Sequence, residues 1–171
     1  GDGSVYNNVQ LTGSSPNQIL SSGTEIYVIN SRSNSIEVLS SGDLSIKREL
    51  SVGNNKNPMY AAIIREDVLA VSCFISQTLE IVDIDTSSVL CSIDLSDIDL
   101  PRDNPSVSGR PYPSGVAAAG GKVFVTLSNL TDHYGCLQAA GPGVVAVIDS
   151  ISYGIVDTIV LTGADQIGRA H

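Results

Sequence analysis

Positive charge is scarce in this sequence: nine Lys and Arg face eighteen Asp and Glu, for a formal charge of -9 at pH 7. A chain that follows a phosphate backbone carries a basic stripe, so neither nucleic acid nor an anionic membrane surface is an expected partner. Soft metal ligands are scarcer still. Three Cys and two His, one of them the last residue His171, are too few for a Cys/His zinc site or an ordinary haem-attachment motif. No metal and no cofactor is expected on that count. No apolar run reaches the roughly 18 residues that span a bilayer, so no transmembrane segment is expected. The opening residues Gly1-Asp2-Gly3-Ser4 are neither basic nor apolar, and an export signal is not legible there.

What the chain does have is a balance of 42% hydrophobic and 16% charged residues over 171 positions, which suits one folded domain with a core. Sixteen Gly, seven Pro and many Ser and Asn fall in short clusters. Between them lie runs of five to eight residues rich in Val, Ile and Leu, such as Ile26-Tyr27-Val28-Ile29, Val68-Leu69-Ala70-Val71 and Val144-Val145-Ala146-Val147-Ile148. Helical spacing is nowhere sustained over ten residues. The fold class is therefore all-β.

The runs recur in register. Pro16-Asn17-Gln18-Ile19, Pro58-Met59-Tyr60-Ala61 and Pro113-Ser114-Gly115-Val116 each open a unit, and a second strand begins about ten residues later at Ile26, Val68 and Val123. A third strand ends at Leu39-Ser40, Val82-Asp83 and Ile148-Asp149. A fourth carries Leu50 and Val52, then Ile93 and Leu95, then Ile159 and Leu161. Four strands in a unit of about 42 residues is the pattern of a β-propeller blade. Residues 1–171 are thus expected to form a single propeller domain with blades at about 16–53, 57–96 and 112–163. A lone outer strand is expected at 5–12 and the start of a further blade at 164–171. Such an arc implies either a fragment of a longer propeller, with the missing C-terminal region completing it, or a partner chain that supplies the remaining blades. The register places Ile159 between blades.

The stretch from Pro16-Asn17-Gln18-Ile19 through Tyr27-Val28-Ile29-Asn30 to Ile36-Glu37-Val38-Leu39 resembles the YVTN repeat of surface-layer and other exported prokaryotic propellers. The second and third units keep parts of it, at Asn57-Pro58 with Ile81-Val82-Asp83 and at Val123-Phe124-Val125-Thr126 with Val147-Ile148-Asp149. The resemblance implies an exported protein at the cell surface, in the periplasm or outside the cell. It implies no catalytic residues, since the family shares none.

Spacing locates what is unusual. Pro16 and Pro58 are 42 residues apart, but Pro58 and Pro113 are 55 apart and Pro113 and Ala164 are 51 apart, which marks two insertions, 96–111 between blades and 130–143 inside the third. Connections after strands two and four emerge on the same face, so both insertions should decorate one rim, and long loops on a rigid scaffold commonly carry binding. Arg110, Tyr112, His133 and Tyr134 are the candidate binding-face residues, because Arg and aromatic side chains dominate interface energetics. Gln18, Tyr60 and Ser114, on the first strands, are candidates for the mouth of the central channel. Cys73 and Cys136 fall on the decorated side, where a disulfide would staple the long loop to its neighbour; the alternative is that all three Cys are free thiols. Asp83 and Asp149 each follow a third strand, where a short carboxylate can satisfy turn amides.

No catalytic constellation is legible, His133 being the single internal histidine. Asn129-Leu130-Thr131 matches the N-glycosylation acceptor pattern. The expected role is non-enzymatic recognition of another protein or a cell-envelope component. Two alternatives stand beside it: a segment of a cofactor- or metal-binding propeller enzyme or electron-transfer protein, and an oligomeric surface-layer structural protein.

Overall fold

A computed structural model describes residues 11–162, and among these residues fourteen strands form and no helix does. The first sheet is β1 (Pro16–Ser22), β2 (Glu25–Asn30), β3 (Ser35–Ser40) and β4 (Ile46–Ser51), hydrogen-bonded in that order. The second repeats it with β5 (Pro58–Arg65), β6 (Val68–Cys73), β7 (Thr78–Asp83) and β8 (Ser88–Asp94). The third comprises β9 (Pro113–Ala119), β10 (Lys122–Leu127), β13 (Val144–Asp149) and β14 (Ile155–Val160), interrupted by a hairpin of β11 (Leu130–His133) and β12 (Cys136–Ala139). Every pairing is antiparallel.

The middle strands of the second sheet carry apolar residues on both sides because both of their faces are covered. In the second sheet Leu69, Val71, Cys73 and Val82 pack back onto Tyr27, Ile29, Ile36, Val38 and Leu50 of the first. Val68, Ala70, Leu79 and Ile81 pack forward onto Val123, Val125, Val144, Ala146 and Ile148 of the third. A half-exposed strand would alternate polar and apolar residues; a strand between two neighbours does not. Each Leu or Ile fully buried in these seams contributes roughly 1.5–3 kcal/mol. The first strands β1, β5 and β9 approach one another across the sheets, whereas the outer strands β4 and β8 barely touch. The sheets therefore fan from an inner edge, as blades do.

Turns close on residues that accept a left-handed backbone. Asn34 (φ 55°) and Gln77 (φ 59°) end the equivalent β2–β3 and β6–β7 turns. The Asn34 Oδ1 then accepts the amides of Lys56 and Asn57, both at 2.9 Å, and so fixes the linker into the second blade. Asp83 accepts the Thr86 amide at 2.6 Å, and Asp149 accepts those of Ile151 and Ser152 at 3.1 and 2.9 Å, so both carboxylates serve their own turns.

Three expectations need correction or qualification. Ile159 is 47% exposed, while its equivalents Leu50 and Ile93 are buried, because among the described residues no following sheet lies against it. The insertion 130–143 is not a structureless loop but the paired hairpin β11–β12. Cys73 and Cys136 do not form a disulfide: Cys73 is sealed in the seam between the first two sheets, and Cys136 is exposed on the hairpin. Cys91 is also free and half-buried. The expected strand at 5–12, apart from Leu11 and Thr12, and the expected blade start at 164–171 lie outside the described residues. No helix among the described residues is long and apolar enough to cross a membrane.

Candidate functional site

The two insertions meet, and Asn129 joins them. Its backbone is left-handed (φ 49°) in the short link between β10 and β11, and its side chain is buried. The buried Nδ2 donates to the Pro101 carbonyl at 2.7 Å, in the first insertion, and to the Pro142 carbonyl at 2.8 Å, at the end of the second. Backbone bonds run alongside: the Asp103 amide donates to the Ala140 carbonyl at 3.0 Å, and Arg110 and Leu130 exchange N–H to O=C bonds at 2.7 and 3.0 Å. Packing is close enough to require glycine at two places. A Cβ on Gly109 would sit 1.8 Å from Asn129 Oδ1, and one on Gly141 would sit 2.3 Å from the Pro101 carbonyl oxygen. With its amide committed in this way, Asn129 has no exposed nitrogen to take a glycan, and the acceptor pattern it sits in is structural.

From this joint the hairpin β11–β12 projects. Its two-residue turn, Tyr134 (φ 53°) and Gly135 (φ 80°), has the doubly left-handed backbone that matches strand twist, and the Asp132 Oδ1 accepts the Gly135 amide at 2.7 Å. Tyr134 is an uncommon occupant of a left-handed position. It is 95% exposed, with the exposed His133 ring against it edge-on at 4.6 Å between centroids. Leu137, also exposed, adds apolar surface on the returning strand.

The four candidate binding residues thus fall into two pairs. His133 and Tyr134 form the tip. Arg110 and Tyr112 lie at the base, with the exposed Arg110 guanidinium 5.5 Å from the centre of the Tyr112 ring. About 10 Å of strand separates base from tip at the usual rise per residue. Tyr112 itself is buried, at 8% exposure, because its ring packs on Phe74 with centroids 4.7 Å apart. It is a support for Arg110 rather than a contact residue, which corrects its assignment to the exposed face. Phe74, which follows β6 in the second blade, carried no signal in the sequence. Two-residue spacing identifies strand positions, not which turn residue of a neighbouring blade will touch.

On the inner edge, Gln18 and Ser114 are engaged across blades. The Gln18 Oε1 accepts the Ala61 amide at 2.6 Å, and the Ser114 carbonyl accepts the Ser72 hydroxyl. Tyr60 is partly exposed there. These contacts knit the first strands together, and Tyr60 is the most exposed of the three, Gln18 and Ser114 being half-buried.

No family model matches the chain, and no curated protein matches it. Among solved structures, the chain is similar to Kuenenia stuttgartiensis hydrazine synthase, with a TM-score of 0.65, 19% identity, and coverage of 86% of this chain and 36% of that one. It is similar to virginiamycin B lyase from Staphylococcus aureus, with a TM-score of 0.59, 13% identity, and coverage of 86% and 41%. It is also similar to the WD40 β-propeller domain of Doa1, with a TM-score of 0.57, 10% identity, and coverage of 81% and 37%. The chain spans about two fifths of the length of these structures or less. The three fanned four-stranded sheets and these likenesses together make the chain a segment of a β-propeller.

Proposed function

We propose that the chain belongs to an exported propeller that recognises another protein, or a protein component of the cell envelope, through the rim built by its two insertions, with further blades completing the ring. The observation that carries this reading is the Asn129 joint. It makes one rigid platform from two excursions and holds an exposed Tyr134 and His133 at the end of a paired hairpin, where a disordered insertion would hold nothing in place. Rigid presentation of an aromatic lowers the entropy lost on binding. Arg110 at the base supplies a cation on an otherwise acidic chain.

A photo-crosslinking residue at position 134 in the full-length protein tests this in the producing cells. One discrete adduct should form, and it should be absent when the residue is placed at 151, an exposed position on the opposite rim. Equal labelling from both positions would refute the recognition face. The names of two neighbours, a synthase and a lyase, favour a second reading in which the complete ring is an enzyme or redox protein. A visible absorption band in the purified full-length protein would support it.

A further inference from the structure

Each sheet has a face turned toward the blade before it, and on the first two sheets that face carries a glutamate at the same register position. In the second sheet Val71 pairs with Glu80, Cys73 with Thr78, and Glu80 with Ser92. In the first, Val28 pairs with Glu37, Asn30 with Ser35, and Glu37 with Glu49. The two glutamates are satisfied very differently. Glu80 is buried, and its Oε1 takes the Lys56 ammonium at 2.7 Å, the Thr78 hydroxyl at 2.5 Å and the Ser92 hydroxyl at 2.9 Å. Lys56 reaches it from the linker, two residues before Pro58.

Glu37 is 9% exposed, and its Oε2 has no partner. Beside it on the same face, Asn30 is fully buried with both side-chain amide atoms unpartnered, and the buried Ser35 hydroxyl is unpartnered too. The position that matches Lys56, two residues before Pro16, is Ser14, and no residue from 1 to 16 carries a positive side chain. Instead of a serine, the residue directly opposite is a second carboxylate, Glu49, and like charges opposed across a ladder repel. A buried carboxylate without a counter-charge costs several kcal/mol. The segment above it is close, since a Cβ on Gly13 would lie 2.7 Å from Asn30 Nδ2, and it is tied down by the Ser31 and Arg32 amides, which donate to the Ser15 and Ser14 carbonyls at 3.0 and 3.1 Å.

We propose that this face of the first blade binds a calcium ion where the second blade uses a lysine ammonium. Two carboxylates, an amide oxygen and a hydroxyl are hard oxygen donors. Calcium, with six to eight ligands in flexible geometry, accepts such a set with water completing it, whereas magnesium demands a strict octahedron. The ion neutralises Glu37 and Glu49 together and gives the Asn30 and Ser35 oxygens a partner.

Calcium chloride titrated calorimetrically into the full chain should bind one ion per chain, and at about 100 times Kd it should raise the melting temperature by several degrees. Glu37→Gln should weaken binding at least tenfold. Ser14→Lys should supply the missing ammonium, abolish the calcium response and raise the melting temperature without calcium. Asp97→Asn, an exposed carboxylate on the first insertion, should leave binding unchanged. The proposal is overturned by no calcium response at about 10 mM, beyond the weakest natural calcium modules. It is also overturned by an equal response to magnesium or potassium, or by retention of the calcium response in Glu37→Gln or Ser14→Lys.

Discussion

Replacing Asn129 by alanine removes both donors that hold the two insertions together. The Pro101 and Pro142 carbonyls, at 2.7 and 2.8 Å from Nδ2, lose their partner. Each stranded acceptor costs about 1–3 kcal/mol, at the lower end here because both prolines are partly exposed and water can reach them. Alanine at φ 49° adds up to about 1 kcal/mol, since asparagine tolerates the left-handed region better. Against this, the Asn129 Oδ1 has no partner, and its loss returns part of the cost. The balance is a destabilisation of about 2 kcal/mol, or a fall of about 4–8 °C in melting temperature for a chain of this size. Thermal denaturation measures the sum, and hydrogen exchange locates it. The Ala140 and Asp103 amides, bonded across the joint, should lose protection while the Val71 amide in the core keeps its own. A melting temperature within about 2 °C of the parent, with those amides still protected, would refute the assignment of the joint to Asn129.

Gly109→Ala should destabilise the chain at least as much as Asn129→Ala, because its new methyl would occupy the place of Asn129 Oδ1. The two changes combined should cost less than the sum of their separate effects in a double-mutant cycle. Under native conditions a thiol reagent should modify the exposed Cys136 rapidly and leave Cys73 untouched until unfolding, since burial pushes the Cys73 thiol up to about 12; a reductant should not change the melting temperature. Burial alone would raise the Glu25 carboxyl, but hydrogen bonds from Lys47, Tyr27 and Arg48 outweigh it and hold the group at about 2. A depressed carboxyl stabilises the fold above its unfolded value near 4.5 and loses that contribution as pH falls toward 2. Glu25→Gln should therefore remove on the order of 2 kcal/mol of the acid-dependent part of stability between about pH 5 and 2, read from denaturant melts at each pH.

The strands were legible because burial on both faces writes a continuous apolar run, as at Val68-Leu69-Ala70-Val71, and Gly, Asn and Pro punctuate it. Their fine register was less so. Counting ten residues from each Pro matches Ile26 and Val123 with Val68, whereas the ladders match Glu25, Val68 and Lys122 as the first residues of strand two. The offset arises because the inner strand pairs irregularly near its opening proline. It moves Glu37 onto the same footing as Glu80, a correspondence that only pairing partners expose. The rim was legible in outline from spacing alone. Tyr112 was misplaced because its burial depends on Phe74, 38 positions earlier, and Asn129 was passed over because a glycan-acceptor pattern and a buried structural amide look alike in sequence. The Tyr134-Gly135 pair between Leu130-Thr131-Asp132-His133 and Cys136-Leu137-Gln138-Ala139 is a hairpin signal that could have been read.

The amide of Asn129 pins material emerging from the second sheet to material emerging from the third, and so it bridges a line along which neighbouring blades would otherwise slide. Any shear of that seam must first pull Pro101 or Pro142 off the pin, and anything that grips the projecting hairpin pulls on the same point. Force applied at Tyr134 is thereby delivered to the junction between blades rather than absorbed by a slack loop, so a load at the rim becomes a stress on the ring.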